Sequence, residues 1–571
     1  MTPPDACTWT APRSLVRWCA SIGRHPRFAL TIAVASLGLA GLTTIPPIDR
    51  DEPDFAQAAR QMLESHNFID IRFQDAPLYE KPVLTYWLQA GSAALFSSSP
   101  ERNQIWAYRL PSVLAVWLST LLTYELGLAL FNRRTALAAA AMFASMLLVQ
   151  SQAHQARADA LLLAAMLGTV LPLARVYVSR HLHPQPSCTA MAALFWASLA
   201  AAILIKGPIV PFLLALELAT LMAMDRSWHW IARLRPGWGI PLFLLIVLPW
   251  PLAMLRQRGA AFFLEAWETD ILPKLTSAQE SHGAPPLAYT LLSPVTLWPT
   301  ILLLPRCVEL AWRNYRNPSV RFCVAASLPG WLAFELAPTK LPHYVLPLVP
   351  LLVVLMAVRA RKLELQPPSL MSSRIGVALF MFGGALISAM ILLAEVRFGS
   401  GVGTITIIGV ALLLASMILT AAPAWRRGVE HSVGGAAFCG MLATLVIFAI
   451  AIPGLQRLWV ADRAASVART IAGPTSPTLV VGYSEPSLVF LLGTRTRFVE
   501  AKEAVAALQA GSSRVAIVAG LKTSEFVVEA RARGMELQQN STVSGIDPVH
   551  GRPIELGVWS PRGTELTTGE R

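Results

Sequence analysis

Residues 403–421 read GTITIIGVALLLASMILTA, nineteen positions without one Asp, Glu, Lys or Arg. Wound as an α-helix at ~1.5 Å per residue, such a run is about 28 Å long, close to the ~30 Å hydrocarbon core of a bilayer. Runs of the same kind lie at 27–46, 106–131, 136–150, 158–178, 190–205, 207–224, 238–256, 287–305, 319–337, 342–359, 376–395 and 434–453, so thirteen spans are expected, several of them short or broken by Pro. Composition agrees. Of 571 residues 54% are hydrophobic and 14% charged, against about 25% charged in soluble domains, and the mean hydropathy is +0.51. These figures exclude disordered, collagen-like and disulfide-scaffold classes. The fold class expected is an α-helical polytopic membrane protein of about 13 transmembrane helices plus interfacial helices, with a small C-terminal α/β soluble domain. The first run lacks a small-residue cleavage site and leads into an acidic, Pro-rich stretch, so it is read as a retained span.

The net charge of +13 would suit nucleic acid, but its placement argues against such a partner. Arg residues sit in alternate short loops: Arg13, Arg17, Arg24 and Arg27 at the start, then Arg133 and Arg134, Arg175 and Arg180, Arg226 to Arg235, Arg306 to Arg321, Arg359 to Arg374, and Arg426 and Arg427. By the positive-inside rule these loops are cytoplasmic. The opposite loops carry the Asp, Glu, His and Pro motifs, so the chemistry is expected on the other face. The N-terminus is expected in the cytoplasm and the C-terminus outside it. Residues 1–454 are read as the membrane domain, with outer loops at 47–105 and 257–286, and 455–571 as an outer α/β domain. In that domain Thr478–Gly482, Arg495–Val499, Arg514–Val518 and Ile554–Trp559 read as strands between helical patterns near 486–492, 502–509 and 523–533. Its Gly482-Tyr483-Ser484-Glu485-Pro486 segment is read as a structural turn rather than a ligand loop. The six cysteines form no CxxC pair and read as packing residues or inert thiols.

The first outer loop is the most informative. Ile48-Asp49-Arg50-Asp51-Glu52-Pro53-Asp54-Phe55 places four carboxylates in six residues at a helix start, with Pro53 suited to the first turn. Asp49 and Asp54 are read as charges that complement the helix dipole. Phe55, Ala58, Ala59 and Met62 then form a stripe opposite Gln57, Arg60, Gln61 and Glu64, the pattern of an interfacial helix that holds a carboxylate at headgroup height. Farther on, Tyr79-Glu80-Lys81-Pro82 sets a cation beside an aromatic-rich run. Lys81 is either a phosphate partner or a snorkelling anchor, and Asp159, at the opening of the fourth span, either a cap or a site residue. Lys206-Gly207-Pro208, a second interfacial pattern at Phe262–Glu268, Leu272-Pro273-Lys274, the stretch around His282, and Lys340-Leu341-Pro342-His343-Tyr344 complete the outer set. Acidic, basic and aromatic loops converging on one membrane face suit an anionic lipid bearing a polar group. No Walker loop, GxSxG or HExxH spacing is present.

In their order along residues 25–455, these motifs, together with Leu248-Pro249-Trp250, resemble the C-type membrane glycosyltransferases. The resemblance is greatest to the lipid A 4-amino-4-deoxy-L-arabinose transferases, with protein O-mannosyltransferases more distant. It implies transfer of a sugar from a polyprenyl (undecaprenyl) phosphate carrier to lipid A, lipopolysaccharide or another envelope acceptor, at the periplasmic face of a bacterial inner membrane. It implies roles for Asp51, Asp159 and Glu80, read as catalytic, and for Lys81 and Tyr344, read as binding; the outer-loop residues Tyr79, Lys274, Arg256, His282 and Lys340 are added from the loop pattern as further candidates for binding of substrate and phosphate. Glu80 and His282 are the pair a divalent metal would use, and two ligands fall short of a metal signature, so no cofactor is assigned. Leu272-Pro273-Lys274 and Glu280 to Pro286 depart from the arabinose-transferase pattern, which leaves galacturonic acid, mannose or glucose as other sugars and a glycolipid or protein as other acceptors. The expected reaction is an inverting single displacement, with Lys81, beside Lys274 or Arg256, stabilising the leaving phosphate and Asp51 as base or acceptor-positioning group. The rival from another class, a lipid-linked sugar transporter, would show repeated halves and midplane charges, which the sequence lacks.

Overall fold

The computed structural model describes residues 25–181, 189–259, 283–358, 369–473 and 476–563. Helices dominate it. Seven are long and apolar enough to cross a membrane: Ile105–Leu130, Asp159–Val178, Thr189–Lys206, Pro236–Arg258, Leu370–Phe398, Thr404–Arg427 and Val433–Gly454. Two bent pairs raise the number to nine, Arg133–Ala144 with Leu147–Ala153 at 62° and Ala288–Thr296 with Thr300–Arg313 at 112°. The chain is thus a multi-pass membrane protein, with seven to nine such helices among the described residues against thirteen apolar runs. Two of the four runs outside this set have local causes. The first run gives a helix at Pro26–Leu39 that stops before Gly41, whose φ of +76° and close approach to the Phe448 carbonyl leave no room for a Cβ. The run at 342–359 begins with a 3₁₀ turn, Pro342–Leu348, before an α-helix at Val349–Met356.

The helix ends follow from their sequences. Asn132 and Asn317 each accept two backbone N–H bonds and cap the helices Arg133–Ala144 and Pro318–Leu336. Carboxylates between spans neutralise the Arg-rich loops: Glu125 takes Arg27 at 2.6 Å and Arg175 at 3.3 Å, and Asp225 takes Arg180 at 3.0 Å and also Arg321. Along Asp159–Val178 the acidic residue opens the helix and Arg175 lies in the last turn, roughly 25 Å away at ~1.5 Å per residue. The two charge populations therefore sit at opposite ends of the span. Cys307, Cys323 and Cys439 are buried free thiols, as packing residues would be.

Past the last span, strands β3 (Thr478–Val481), β4 (Arg497–Phe498), β5 (Val515–Ala519), β6 (Leu537–Ile546) and β7 (Pro553–Pro561) form one sheet in the order β4-β3-β5-β7-β6. The β3, β4 and β5 strands run parallel, and the β6–β7 hairpin adds antiparallel to β5. A two-stranded ribbon, β1 (Arg72–Phe73) with β2 (Ala76–Pro77), lies in the first outer loop. Four strands match the sequence expectation. The fifth, β6, carries LQQNSTVSGI at the sheet edge, where only Val543 and Ile546 are buried, so it lacks the apolar alternation that marks a strand.

One buried ion pair pins the outer loops to the spans. Glu52 and Arg109, 2% and 0% exposed, meet in a two-pronged contact at 2.8 Å on both arms. The Glu52 carboxylate also accepts the N–H groups of Ile48 (2.9 Å) and Ala156 (2.7 Å), while Arg109 donates to the carbonyls of Ile45 (2.7 Å) and Pro46 (2.9 Å). Removing one member leaves the other charge buried and unpaired, a loss of about 3–5 kcal/mol. Arg109→Ala is expected to lower the melting temperature of the detergent-solubilised protein by more than any single substitution at an exposed outer-loop charge. A melting curve equal to the parent's would contradict this role.

Candidate active site

The acidic loop delivers Asp51 to the first turn of the helix Asp51–Ser65, directly after Arg50, which adopts φ +79°. Asp51 pairs with Arg157 from the loop ahead of the span Asp159–Val178. Asp159 opens that span and pairs with Lys206, the last residue of the neighbouring span Thr189–Lys206. An acidic group at one helix N-terminus thus meets a basic group at another's C-terminus, each favoured by its own helix dipole. His343 Nε2 stands 3.7 Å from the second Asp159 oxygen, and the Lys206 ammonium lies 5.3 Å from the centre of the Tyr344 ring. Tyr344 is within electrostatic reach of Lys81, Asp159, Arg157 and Asp51. Asp51, Asp159, Lys81 and Tyr344, separated by up to 293 residues in sequence, therefore share one polar centre, with Arg157, Lys206 and His343 as members to which the sequence reading gave no site role. Their signal was present in the motifs: Arg157 stands two residues before Asp159, and His343 beside Tyr344.

The remaining expected residues have other surroundings. The Tyr79 hydroxyl donates to Asp70 at 3.0 Å, and Asp70 is also held by Arg72 at 2.9 Å and by Arg258. Arg258, the neighbour of the exposed Arg256, thus ties the end of the span Pro236–Arg258 to the first outer loop. Trp250, whose indole donates to the Ile69 carbonyl at 3.0 Å, adds to the same tie. Glu80 is exposed, and its carbonyl accepts from the Lys81 ammonium at 2.8 Å. Lys340 donates to the carbonyls of Ala284 (2.9 Å) and Ala337, which together with the bridge between Gly283 and Thr339 fastens these two segments to each other. Lys274, His282 and the interfacial pattern at Phe262–Glu268 lie outside the described residues.

The helix Asp51–Ser65 differs from the interfacial helix read from its pattern, because its polar face meets protein. Gln57 is fully buried and donates to Thr494 Oγ1 at 2.7 Å, Arg60 donates to the Phe490 carbonyl at 2.9 Å, and Glu64 accepts from Thr494 at 2.6 Å. Phe55 stacks on Tyr86 from the opposite side at 5.2 Å. The C-terminal region thus covers the helix that carries Asp51.

Asp54, in the first turn of that helix, is pushed up to about 8 by burial and then by the neighbouring carboxylates Glu80, Asp51, Asp49 and Glu485. Its folded value exceeds the ordinary 3.8, so its contribution to stability is fully present below pH ~4 and is lost as pH rises through about 8. Asp54→Asn is expected to melt with the parent near pH 4 and progressively above it up to pH 8. A difference that does not grow with pH in melting scans would contradict this environment.

Three comparisons bear on these features. The family profile described as dolichyl-phosphate-mannose-protein mannosyltransferase matches residues 80–252. Curated relatives include an undecaprenyl phosphate-alpha-4-amino-4-deoxy-L-arabinose arabinosyl transferase of Erwinia tasmaniensis, 27% identical over 54% of this chain and 54% of its own length. Another, arabinosyl transferase 1 of Pseudomonas fluorescens, is 29% identical over 58% of this chain and 59% of its own. The chain thus matches somewhat over half the length of these relatives. Among solved structures, ArnT from Cupriavidus metallidurans superposes with a TM-score of 0.71 in the apo state (18% identity, 94% of this chain and 98% of that one). Bound to undecaprenyl phosphate, it gives 0.72 (19%, 93% and 97%). The chain therefore has the ArnT fold over about 94% of its length, and in sequence it is similar over somewhat more than half its length to undecaprenyl phosphate-alpha-4-amino-4-deoxy-L-arabinose arabinosyl transferases.

Proposed function

We propose that the chain is an inverting glycosyltransferase that moves a sugar from polyprenyl (undecaprenyl) phosphate to lipid A or lipopolysaccharide, on the periplasmic face of a bacterial inner membrane. The observation that carries this reading is the joining of Asp51, Arg157, Asp159, Lys206 and Tyr344, with Lys81 in reach, where span ends meet the outer loops. The relatives named as undecaprenyl phosphate-dependent arabinosyl transferases support the donor class and make 4-amino-4-deoxy-L-arabinose the first sugar to test.

In the displacement, an acceptor oxygen forms a bond to the anomeric carbon as the bond from that carbon to the carrier phosphate breaks, and polyprenyl phosphate leaves with the electron pair. Lys81 is the cation for the charge that develops on the leaving phosphate. Arg157 holds the Asp51 carboxylate, which orients the acceptor and takes its proton if the acceptor is a hydroxyl. An acceptor phosphate is already ionised near neutral pH and needs positioning alone. Asp159 positions Lys206 and, through it, the Tyr344 ring. Glu80 and the binding residues Tyr79, Arg256, Lys340, Lys274 and His282 complete the proposed site, and no step is routed through a metal.

The topology that goes with this reading has thirteen crossings, a cytoplasmic N-terminus and a periplasmic C-terminal domain from residue 455. Segregation of Arg-rich and acidic helix ends supports it. Mass spectrometry of lipid A from cells that express the parent or a variant as their sole copy tests the function. The parent is expected to add a sugar mass, and Asp51→Asn or Lys81→Ala to reduce that addition by about 10²–10³-fold, as loss of a preorganised electrostatic group does. Full decoration by both variants, or a lipid A unchanged on removal of the gene, would overturn the proposal.

A further inference from the structure

The Gly482-Tyr483-Ser484-Glu485-Pro486 turn is not used by the transfer site. It follows strand β3, opens on Gly482 at φ +76°, and packs against the start of the acidic loop, where the Ser487 N–H donates to Asp49 at 3.2 Å. Facing it is the turn between β6 and β7. There Asp547 accepts the N–H groups of Val549 (2.8 Å) and His550 (3.2 Å) through one oxygen, and its other oxygen meets His550 Nδ1 at 2.8 Å.

Glu485 points into this junction. It is 8% exposed, and although it sits at the N-cap of Pro486–Leu492 its side chain makes no capping bond. A Glu485 oxygen, an Asp547 oxygen and a His550 ring nitrogen all lie within 4.8 Å of one another. Three ligands about 2.0–2.2 Å from a shared ion lie about 3.3–3.8 Å from one another, so a closure of at most about 1.5 Å, within reach of side-chain rotation at the exposed His550, brings all three onto one centre.

An independent feature marks the same spot. Tyr483 is 4% exposed, its hydroxyl has no hydrogen-bond partner, and the charged groups it senses are Asp49, Glu485 and Asp547. A buried phenol within electrostatic reach of three carboxylates that bonds to none of them is uncommon, since buried polar groups normally find partners. The carboxylates themselves are short of compensation. Burial, followed by neighbouring negative charge, pushes Glu485 up to about 7, with His550 and Arg50 as partial offsets. Burial pushes Asp49 up to about 6 against the bonds from Ser487.

We propose that Glu485, Asp547 and His550 bind a divalent metal ion, with Asp49 and Tyr483 beside it, and that the ion fastens the C-terminal sheet to the acidic loop leading into Asp51. Two carboxylates and one imidazole form a mixed oxygen and nitrogen set, suited to Zn²⁺ or Mn²⁺ more than to Ca²⁺ or Mg²⁺. The ion would offset the negative charge of Glu485 and Asp547. Its role is to position, because none of its three ligands belongs to the transfer site.

The test uses the full-length protein, purified in detergent and stripped with a chelator, with Zn²⁺ alone as the probe and metal content and melting temperature as readouts. The Glu80→Gln background removes a ligand of the separate pair Glu80 and His282, so that any zinc held there is not counted. In that background one Zn²⁺ per chain is expected to bind and raise the melting temperature. Glu485→Gln and the surface substitution His550→Ala are each expected to weaken binding by at least about tenfold, the loss that even an outer-shell partner brings. Both variants keep the Asp547 turn, and their metal-free melting curves report whether they fold. Zinc binding undiminished in both, or no zinc-dependent stabilisation of the Glu80→Gln protein, would overturn the proposal.

Discussion

The geometry of the polar centre depends on the buried pair of Glu52 and Arg109. Taking a carboxylate and a guanidinium out of water costs several kcal/mol per ion, so the arrangement holds only if both are fully hydrogen-bonded. Glu52 meets that demand with both arms of Arg109 and the N–H groups of Ile48 and Ala156. The residues that follow from it are those of the proposed transfer site. Asp51 precedes Glu52 and Arg157 follows Ala156, so the partly exposed Asp51–Arg157 pair is set by two positions that the buried pair fixes. The buried pair therefore specifies geometry, and the more exposed pair next to it belongs to the proposed transfer site.

From this anchor the site extends by helix ends. Asp159 and Lys206 face each other because one span begins where its neighbour finishes, and their backbone dipoles favour the charges they carry. A phosphate entering this region meets cations already held in place by acidic partners, which reduces the reorganisation required when charge develops. The C-terminal region adds a second constraint. It covers Gln57, Arg60 and Glu64 on the helix that carries Asp51, so the helix is fixed on both sides rather than resting on a lipid surface.

Much of this was legible in the sequence, for physical reasons. Apolar runs must be long to cross a bilayer, so the spans are visible by length alone, whereas the breaks at Gly41 and within 136–150 and 287–305 depend on packing and are not. Asp51 and Asp159 stand out as carboxylates at helix starts. Arg109 does not, because it sits inside an apolar run and its partner lies 57 residues away. The polar face of 51–65 carries the pattern of a membrane-surface helix, and its real partners, Phe490 and Thr494, are more than 425 residues distant. The edge strand β6 is silent for a related reason, since a solvent-facing strand need not alternate.

The central claim is that this polar centre receives the phosphate of a polyprenyl carrier, and direct binding tests it most simply. Undecaprenyl phosphate is added to the purified protein in detergent and the rise in melting temperature is measured against lipid concentration. The account predicts a saturable rise in the parent, shifted to at least about tenfold higher lipid in Lys81→Ala, the loss of roughly 1.4 kcal/mol that removing one charge-assisted contact brings. An identical titration in the variant, or no rise in the parent, would contradict it.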